Sequence, residues 1–286
     1  MNIENITNFT VSRYNGLCEM LAKWNSLSEN LKITEVGAPI ILPDIFLISK
    51  SGTGRTEFLK YLTQFLKIRG NLLDFYGDVS WFEFKLGYCS PNQDFSEIKR
   101  FMIDVNSAAG FRNEFRGIIF IDIDEWKKHY EEKYFLDFLE YLSDNSDHWL
   151  IVLSVTDGNT EEIKQMGIVV SCFLRLETIT IQPPSTEELL EYARSILTMY
   201  NVHLCPDAEN VISETIKALC NNKHFDWYKT VNMLCQNIAY TCYSEGKCIK
   251  THLCTEDILM FADKSEYVET EKKKLAKIGF RGDNNE

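Results

Sequence analysis

No run in the 286 residues approaches eighteen consecutive apolar side chains, so the sequence offers no helix able to span a membrane. The amino terminus, Met1 to Thr10, lacks the basic start and apolar stretch of a secretory leader. Paired metal ligands are missing too: among nine cysteines no two are spaced C-x-x-C, and no Cys/His cluster has the short spacing of a zinc site. Their number is odd and most sit among Leu, Ile and Met, so they read as reduced, structural thiols. Positive charge is scarce, with 30 Lys and Arg against 42 Asp and Glu and a net charge of −12. That balance argues against nucleic acid as a partner. The expectation from these absences is a soluble, cytoplasmic protein with no membrane partner. What is present is 45% apolar and 25% charged residues, a globular composition long enough for one mid-sized domain and a smaller one.

The pattern along the chain separates into two regimes. Residues 11–31 place Leu17, Met20, Leu21 and Trp24 at helical spacing. After Gly37 to Pro43, short apolar runs alternate with helical stretches. Strands are predicted at Ile45–Ile48, Val79–Lys85, Ile118–Ile121, Leu150–Leu153 and Thr178–Ile181. Helices are predicted from Phe58 to Leu66, around Phe95 to Val105, and from Tyr134 to Leu142. The third and fourth strands are apolar throughout, as strands covered on both faces are. Alternation of this kind predicts a doubly wound α/β domain with a parallel sheet. Beyond Pro183-Pro184 the periodicity becomes purely helical, with helices at about 185–200, 207–221, 225–243 and 254–264. The predicted divisions are a helical lead-in over 1–43, an α/β domain over 44–182, an all-α lid over 183–265 and a charged tail over 266–286.

Chemistry concentrates at two of the strand ends. Between the first strand and its helix lies Ser49-Lys50-Ser51-Gly52-Thr53-Gly54-Arg55-Thr56, which occupies the eight positions of a G-x-x-x-x-G-K-[ST] phosphate loop. Ser51, Gly52, Thr53 and Gly54 would let successive N–H groups face phosphate oxygens at a helix start. Arg55 would supply charge, and Thr56 a hydroxyl to Mg²⁺. Ser49 replaces the first glycine and Arg55 the lysine, so the loop taken alone also fits a tight turn without ligand. The strand Gly117-Ile-Ile-Phe-Ile121-Asp122 then places a carboxylate where a metal-bound nucleotide needs one. Loop and strand together indicate a P-loop nucleotide fold.

These segments resemble an AAA+ ATPase module, nearest the CbxX (Rubisco-activase-like) and sporulation-protein-K branch. There the loop reads G-N-P-G-T-G-K-T, and Ser49 to Thr56 is a degenerate copy. Asp157 to Ile163 is similar to the segment after that branch's fourth strand, and Thr178 to Leu189 to its approach to the lid. The resemblance covers about residues 30–265. It implies a five-stranded parallel sheet with flanking helices and a C-terminal all-α lid, ATP or ADP with Mg²⁺ as cofactors, and a homo- or hetero-oligomer with AAA+ neighbours or a protein partner.

Position by position, the catalytic set that the resemblance implies is eroded. Asp122 falls on the metal position, but Ile123 on the glutamate that orients water. A register shift would use Asp124 and Glu125 instead, at the cost of a charge inside the strand. Val169 to Phe173 matches the arginine-finger segment and holds no arginine; Arg175 lies two places beyond. Thr156 falls near the polar sensor of the fourth strand or caps a turn. Lys229 stands where a lid arginine would reach phosphate, or is a solvated lysine. Gly87-Tyr88 follows the second strand but lacks the order of a substrate-gripping pore loop. The expectation is a nucleotide-binding module with weak or absent hydrolysis, serving as a structural or regulatory subunit. The alternative is an active ATPase that remodels a protein partner.

Overall fold

A computed structural model describes residues 15–33, 42–68, 80–109, 115–204, 206–221, 225–244 and 252–253. The predicted helix at 254–264, the charged tail and most of the Gly37–Pro43 connection lie outside the described residues. The chain divides into two compact units, Met1–Gln182 and Pro183–Glu286.

In the first unit the chain runs α1 (Asn15–Ile33), β1 (Asp44–Ser49), α2 (Arg55–Ile68), β2 (Trp81–Lys85), α3 (Pro91–Ala109) and β3 (Gly117–Asp122). A 3₁₀ turn (Asp124–Trp126) follows, then α4 (Lys133–Asn145), β4 (Trp149–Thr156), α5 (Thr160–Ser171) and β5 (Leu176–Ile181). The strands form one sheet in the order β2-β3-β4-β1-β5, and every pairing is parallel. This is the five-stranded parallel sheet that the sequence predicts. The strands run longer than their apolar centres, because polar ends such as Asp122 and Thr156 still join the ladder. The helix Thr160–Ser171 has no counterpart in the sequence prediction.

Period-2 alternation sorts the strand side chains onto two faces. Phe46, Ile119, Ile121, Ile151 and Leu153 pack with α3, α4 and α5 through Met102, Phe135, Leu139 and Met166. Ile45, Leu47, Ile118, Phe120, Leu150 and Val152 pack on the opposite side with Leu17 and Trp24 of α1 and Phe58, Leu59 and Leu62 of α2. With both faces covered, the central strands must be apolar on every residue, which explains their unbroken runs. Edge strand β2 is only half covered and carries Glu83 and Lys85 among its aromatic residues.

The second unit holds α6 (Thr186–Met199), β6 (His203–Leu204), α7 (Pro206–Cys220), α8 (Trp227–Ser244) and β7 (His252–Leu253). Ser185 and Glu188 close a capping box at the start of α6. Pro206 opens α7, where its missing N–H costs nothing. Leu189, Ala193, Ile212, Ile216, Val231 and Ile238 form a core of this unit's own.

Of the described cysteines, Cys235 is buried, Cys18 and Cys220 are half-buried, and Cys89 and Cys172 are exposed, all as free thiols. Exposure of two of five departs from the expectation that most fill interior space. Cys172 lies just past the end of α5 and faces solvent, while its apolar neighbours Val170 and Leu174 turn into the core.

Candidate functional site

The loop between β1 and α2 is held by local chemistry. Gly52 and Gly54 have φ of 70° and 100°, a region that side chains with a Cβ rarely enter. Between them Thr53 is fully buried, and its hydroxyl donates to the Lys50 carbonyl at 2.7 Å. The Gly54 carbonyl accepts from Phe58 N–H at 3.0 Å, so α2 starts there. The loop thus turns sharply into a helix N-terminus, where unpaired N–H groups and the helix dipole favour an anion. Ser51 and Thr56 are exposed.

Alternation along β3 places Asp122 on the same face as Ile118 and Phe120, toward α2. The Arg55 Nη1 lies 3.4 Å from Asp122 Oδ2 and 3.3 Å from Ser154 Oγ. Ser154 is fully buried and stands beside Asp122 in the β3–β4 register. Arg55, Thr56, Leu59, Glu83, Phe84, Lys85, Phe120 and Asp122 line a cavity of about 410 Å³. Arg55, Thr56 and Asp122, which the sequence singled out separately, therefore share one cavity.

Ile123 alternates to the other face. It is fully buried with Leu86, Trp126 and the α3–α4 core, and its N–H donates to the Ser154 carbonyl at 3.0 Å. Asp124 and Glu125 open the 3₁₀ turn. Asp124 Oδ1 accepts from Thr156 N–H at 2.6 Å and from Lys127 Nζ at 2.8 Å. Burial pushes its carboxyl upward, but the Lys127 ammonium and the Thr156 N–H outweigh that and hold it below the usual carboxylate range. Glu125 pairs with Lys85 and accepts from Tyr88 N–H at 2.8 Å. The Lys85 partner first, then the Tyr88 N–H, hold its carboxyl low as well. Each carboxylate between 122 and 125 thus has its own cation: Arg55, Lys127 and Lys85.

Thr156 pairs with Ser49 across β1–β4, and its backbone is bonded at both ends: the N–H to Asp124, and the carbonyl to Lys127 at 3.0 Å. Lys229 belongs to the second unit, on the first turn of α8. Its side chain is exposed, with Nζ 3.6 Å from Asp226 Oδ2. Arg175 is exposed between α5 and β5, and its carbonyl accepts from Asp44 N–H. Tyr88 is pinned rather than free, stacked on His129 at 3.9 Å between ring centroids. Its hydroxyl is 3.1 Å from Glu132. Ser154 escaped the sequence reading, although a serine within the apolar run Trp149 to Val155 is the signal that could have found it.

The Mg²⁺ that the resemblance implies can be tested against these donors. A magnesium ion takes oxygen ligands at about 2.0–2.1 Å in a near-octahedral set. Asp122 Oδ1 already accepts from Asp124 N–H at 2.9 Å, and Oδ2 faces the Arg55 guanidinium. A divalent ion bound there would meet the Arg55 guanidinium as a like charge and would have to displace it from Oδ2. The residues present do not fit the ion at Asp122.

Comparison with known proteins bears on the fold. No protein-family model matches the sequence, and no curated protein matches it either. Solved structures do. The C. elegans PCH-2 structure is 17% identical with a TM-score of 0.55, covering 92% of this chain and 69% of that one. The Thermotoga maritima RuvB Holliday junction branch migration motor is 12% identical at a TM-score of 0.53, covering 86% and 68%. The ADP form of the Aeropyrum pernix ORC2 protein is 10% identical at 0.54, covering 87% and 68%. At these identities the likeness is one of fold. The chain has the AAA+ P-loop α/β fold with a helical C-terminal part. No helix among the described residues is long and apolar enough to cross a membrane.

Proposed function

We propose that this chain binds ATP or ADP at the loop Ser51 to Thr56 and hydrolyses it slowly or not at all. It would act as a structural or regulatory subunit beside AAA+ neighbours or a protein partner. The observation that carries this reading is the state of the segment 122–125. Hydrolysis needs an oriented water and a carboxylate free to hold it. Asp124 and Glu125 are each engaged by a lysine and a backbone N–H, and Ile123 is buried away from Asp122. The loop itself keeps the left-handed glycines and helix start that phosphate binding requires. The ADP form of the ORC2 relative in fold supports the choice of nucleotide.

In this reading Arg55 contacts the phosphates, Thr56 closes the helix side, and Thr156 stands at the end of β4. Hydrolysis lacking both oriented water and arginine finger is expected to be slower by on the order of 10²-fold for each missing part, without additivity. The test is calorimetric titration of ATP and ADP into the full chain, with phosphate release and sedimentation followed over a range of protein concentration. Micromolar binding with no phosphate release is the expected outcome. Turnover that vanishes in Asp124→Ala or Glu125→Ala would instead give the segment a catalytic role. Gly54→Val should abolish binding, because a side chain would enter both the strained φ and the phosphate space; unchanged affinity would reduce the loop to a turn.

A further inference from the structure

We propose that the Arg55 guanidinium takes the place of the divalent ion, so that this pocket binds a nucleoside di- or triphosphate without magnesium. The inference rests on the nucleotide reading above and concerns what neutralises the phosphates there. Three observations meet at Asp122. Its Oδ2 faces Arg55 Nη1 at 3.4 Å, its Oδ1 is held by Asp124 N–H, and the same Nη1 also donates to the buried Ser154 hydroxyl at 3.3 Å. The carboxylates at Asp124 and Glu125 are committed to Lys127 and Lys85. Cation and carboxylate are matched one to one along the segment 122–125, so none of these three carboxylates is held ready for a metal.

The guanidinium suits the substitution. It carries five N–H donors in a planar fork and keeps its charge at every accessible pH. The contacts to Asp122 and Ser154 are all made by Nη1, which leaves Nη2 and Nε to meet phosphate oxygens in the bidentate manner arginine favours. A lysine could not hold the carboxylate and fork onto phosphate in the same way, since its charge is a single point. Arg55 opens α2 directly after Gly54, so the fork and the helix N-terminus address the same anion. On this account the arginine is a replacement for the metal rather than a weakened copy of the loop lysine.

The metal and the arginine predict opposite signs for one substitution. ADP would be titrated calorimetrically into the full chain in magnesium chloride and, separately, in EDTA. Affinities agreeing within about threefold are expected for the unaltered protein. Asp122→Asn removes the charge that competes with phosphate for Arg55, and should tighten ADP about three- to tenfold in both buffers. Arg55→Gln should lose at least about tenfold in EDTA and regain part of it in magnesium, because Asp122 is then released to bind the ion. Binding of ADP by the unaltered chain in magnesium alone would overturn the proposal and leave the nucleotide site standing. So would weaker binding by Asp122→Asn confined to magnesium. Absence of binding in either buffer would remove the nucleotide reading itself, and this inference with it. Thermal unfolding of each variant confirms that the fold is retained before its affinity is read.

Discussion

Single side chains here are governed by which face of the sheet they reach. Asp44 opens β1 at the end opposite the loop, and its Oδ1 accepts from Ile151 N–H at 2.9 Å. Burial raises its carboxyl to about 7, and the Ile151 bond offsets only part of that. The unfolded chain releases this proton near the ordinary carboxylate value, so between about pH 4 and pH 7 the folded state holds more protons. Stability should therefore fall as pH rises through that window and level off above it. Asp44→Asn keeps the acceptor without the charge. It should flatten the profile and add about 1–3 kcal/mol at pH 8, since each tenfold change in proton affinity is worth roughly 1.4 kcal/mol. Urea unfolding at pH 5 and pH 8 measures both, and an unchanged pH profile in the variant would refute the assignment. Ile123 poses the reverse case. Ile123→Glu drives a carboxylate into the dry α3–α4 core and should cost about 3 kcal/mol or more, with no gain in phosphate release. A stable, hydrolysing variant would show that this side chain reaches the cavity.

At the level of elements, legibility followed how far tertiary packing overrode local signals. The strands β1, β3 and β4 were readable because burial on both faces forces apolar runs. Helix α5 was not. Its buried residues Ile163, Met166 and Val170 keep helical spacing. However, Gly167 and the run Ile168-Val169-Val170 are poor helix formers that disguise it. A Cβ there would lie 3.5 Å from the Phe46 ring, an ordinary contact, so packing against β1 does not itself require the glycine. The start of α6 is marked by Ser185 and Glu188, whose side chains and N–H groups exchange bonds at 3.2 and 2.8 Å. Ser185→Ala should therefore lower the stability of the helical unit by about 1 kcal/mol, read as an earlier urea midpoint. No change would mean that water caps the helix equally well.

For the molecule as a whole, the sequence disclosed the fold class and the loop, while the state of the site depended on pairings that only the folded chain makes. Lys85 meets Glu125 from another strand, and Arg55 meets Asp122 and Ser154 across 67 and 99 positions. Reading the fourth strand as ending at Leu153 hid Ser154, because a polar residue at the close of an apolar run looks like the start of a loop. The proposed ligand also carries a global expectation. A nucleotide that binds the folded chain alone should raise its thermal midpoint in proportion to the logarithm of free ligand over Kd. The same ADP titration in EDTA, followed by scanning calorimetry, checks this without reference to turnover.

Strand β2 has a consequence for solubility. Among the described residues it borders the sheet with β3 alone beside it, and its alternate residues Trp81, Glu83 and Lys85 share one side of the pleat. Left apolar, such a border would template pairing with the border of another copy, and the outcome would be fibres rather than folded protein. Glu83, held to the Trp81 indole N–H at 2.9 Å, and Lys85, held to Glu125, put two fixed charges on that border. They act as gatekeepers against edge-to-edge aggregation as well as lining the cavity, so the segment cannot drift toward Val or Ile, as its strand propensity alone would favour, without exposing every copy to its neighbours.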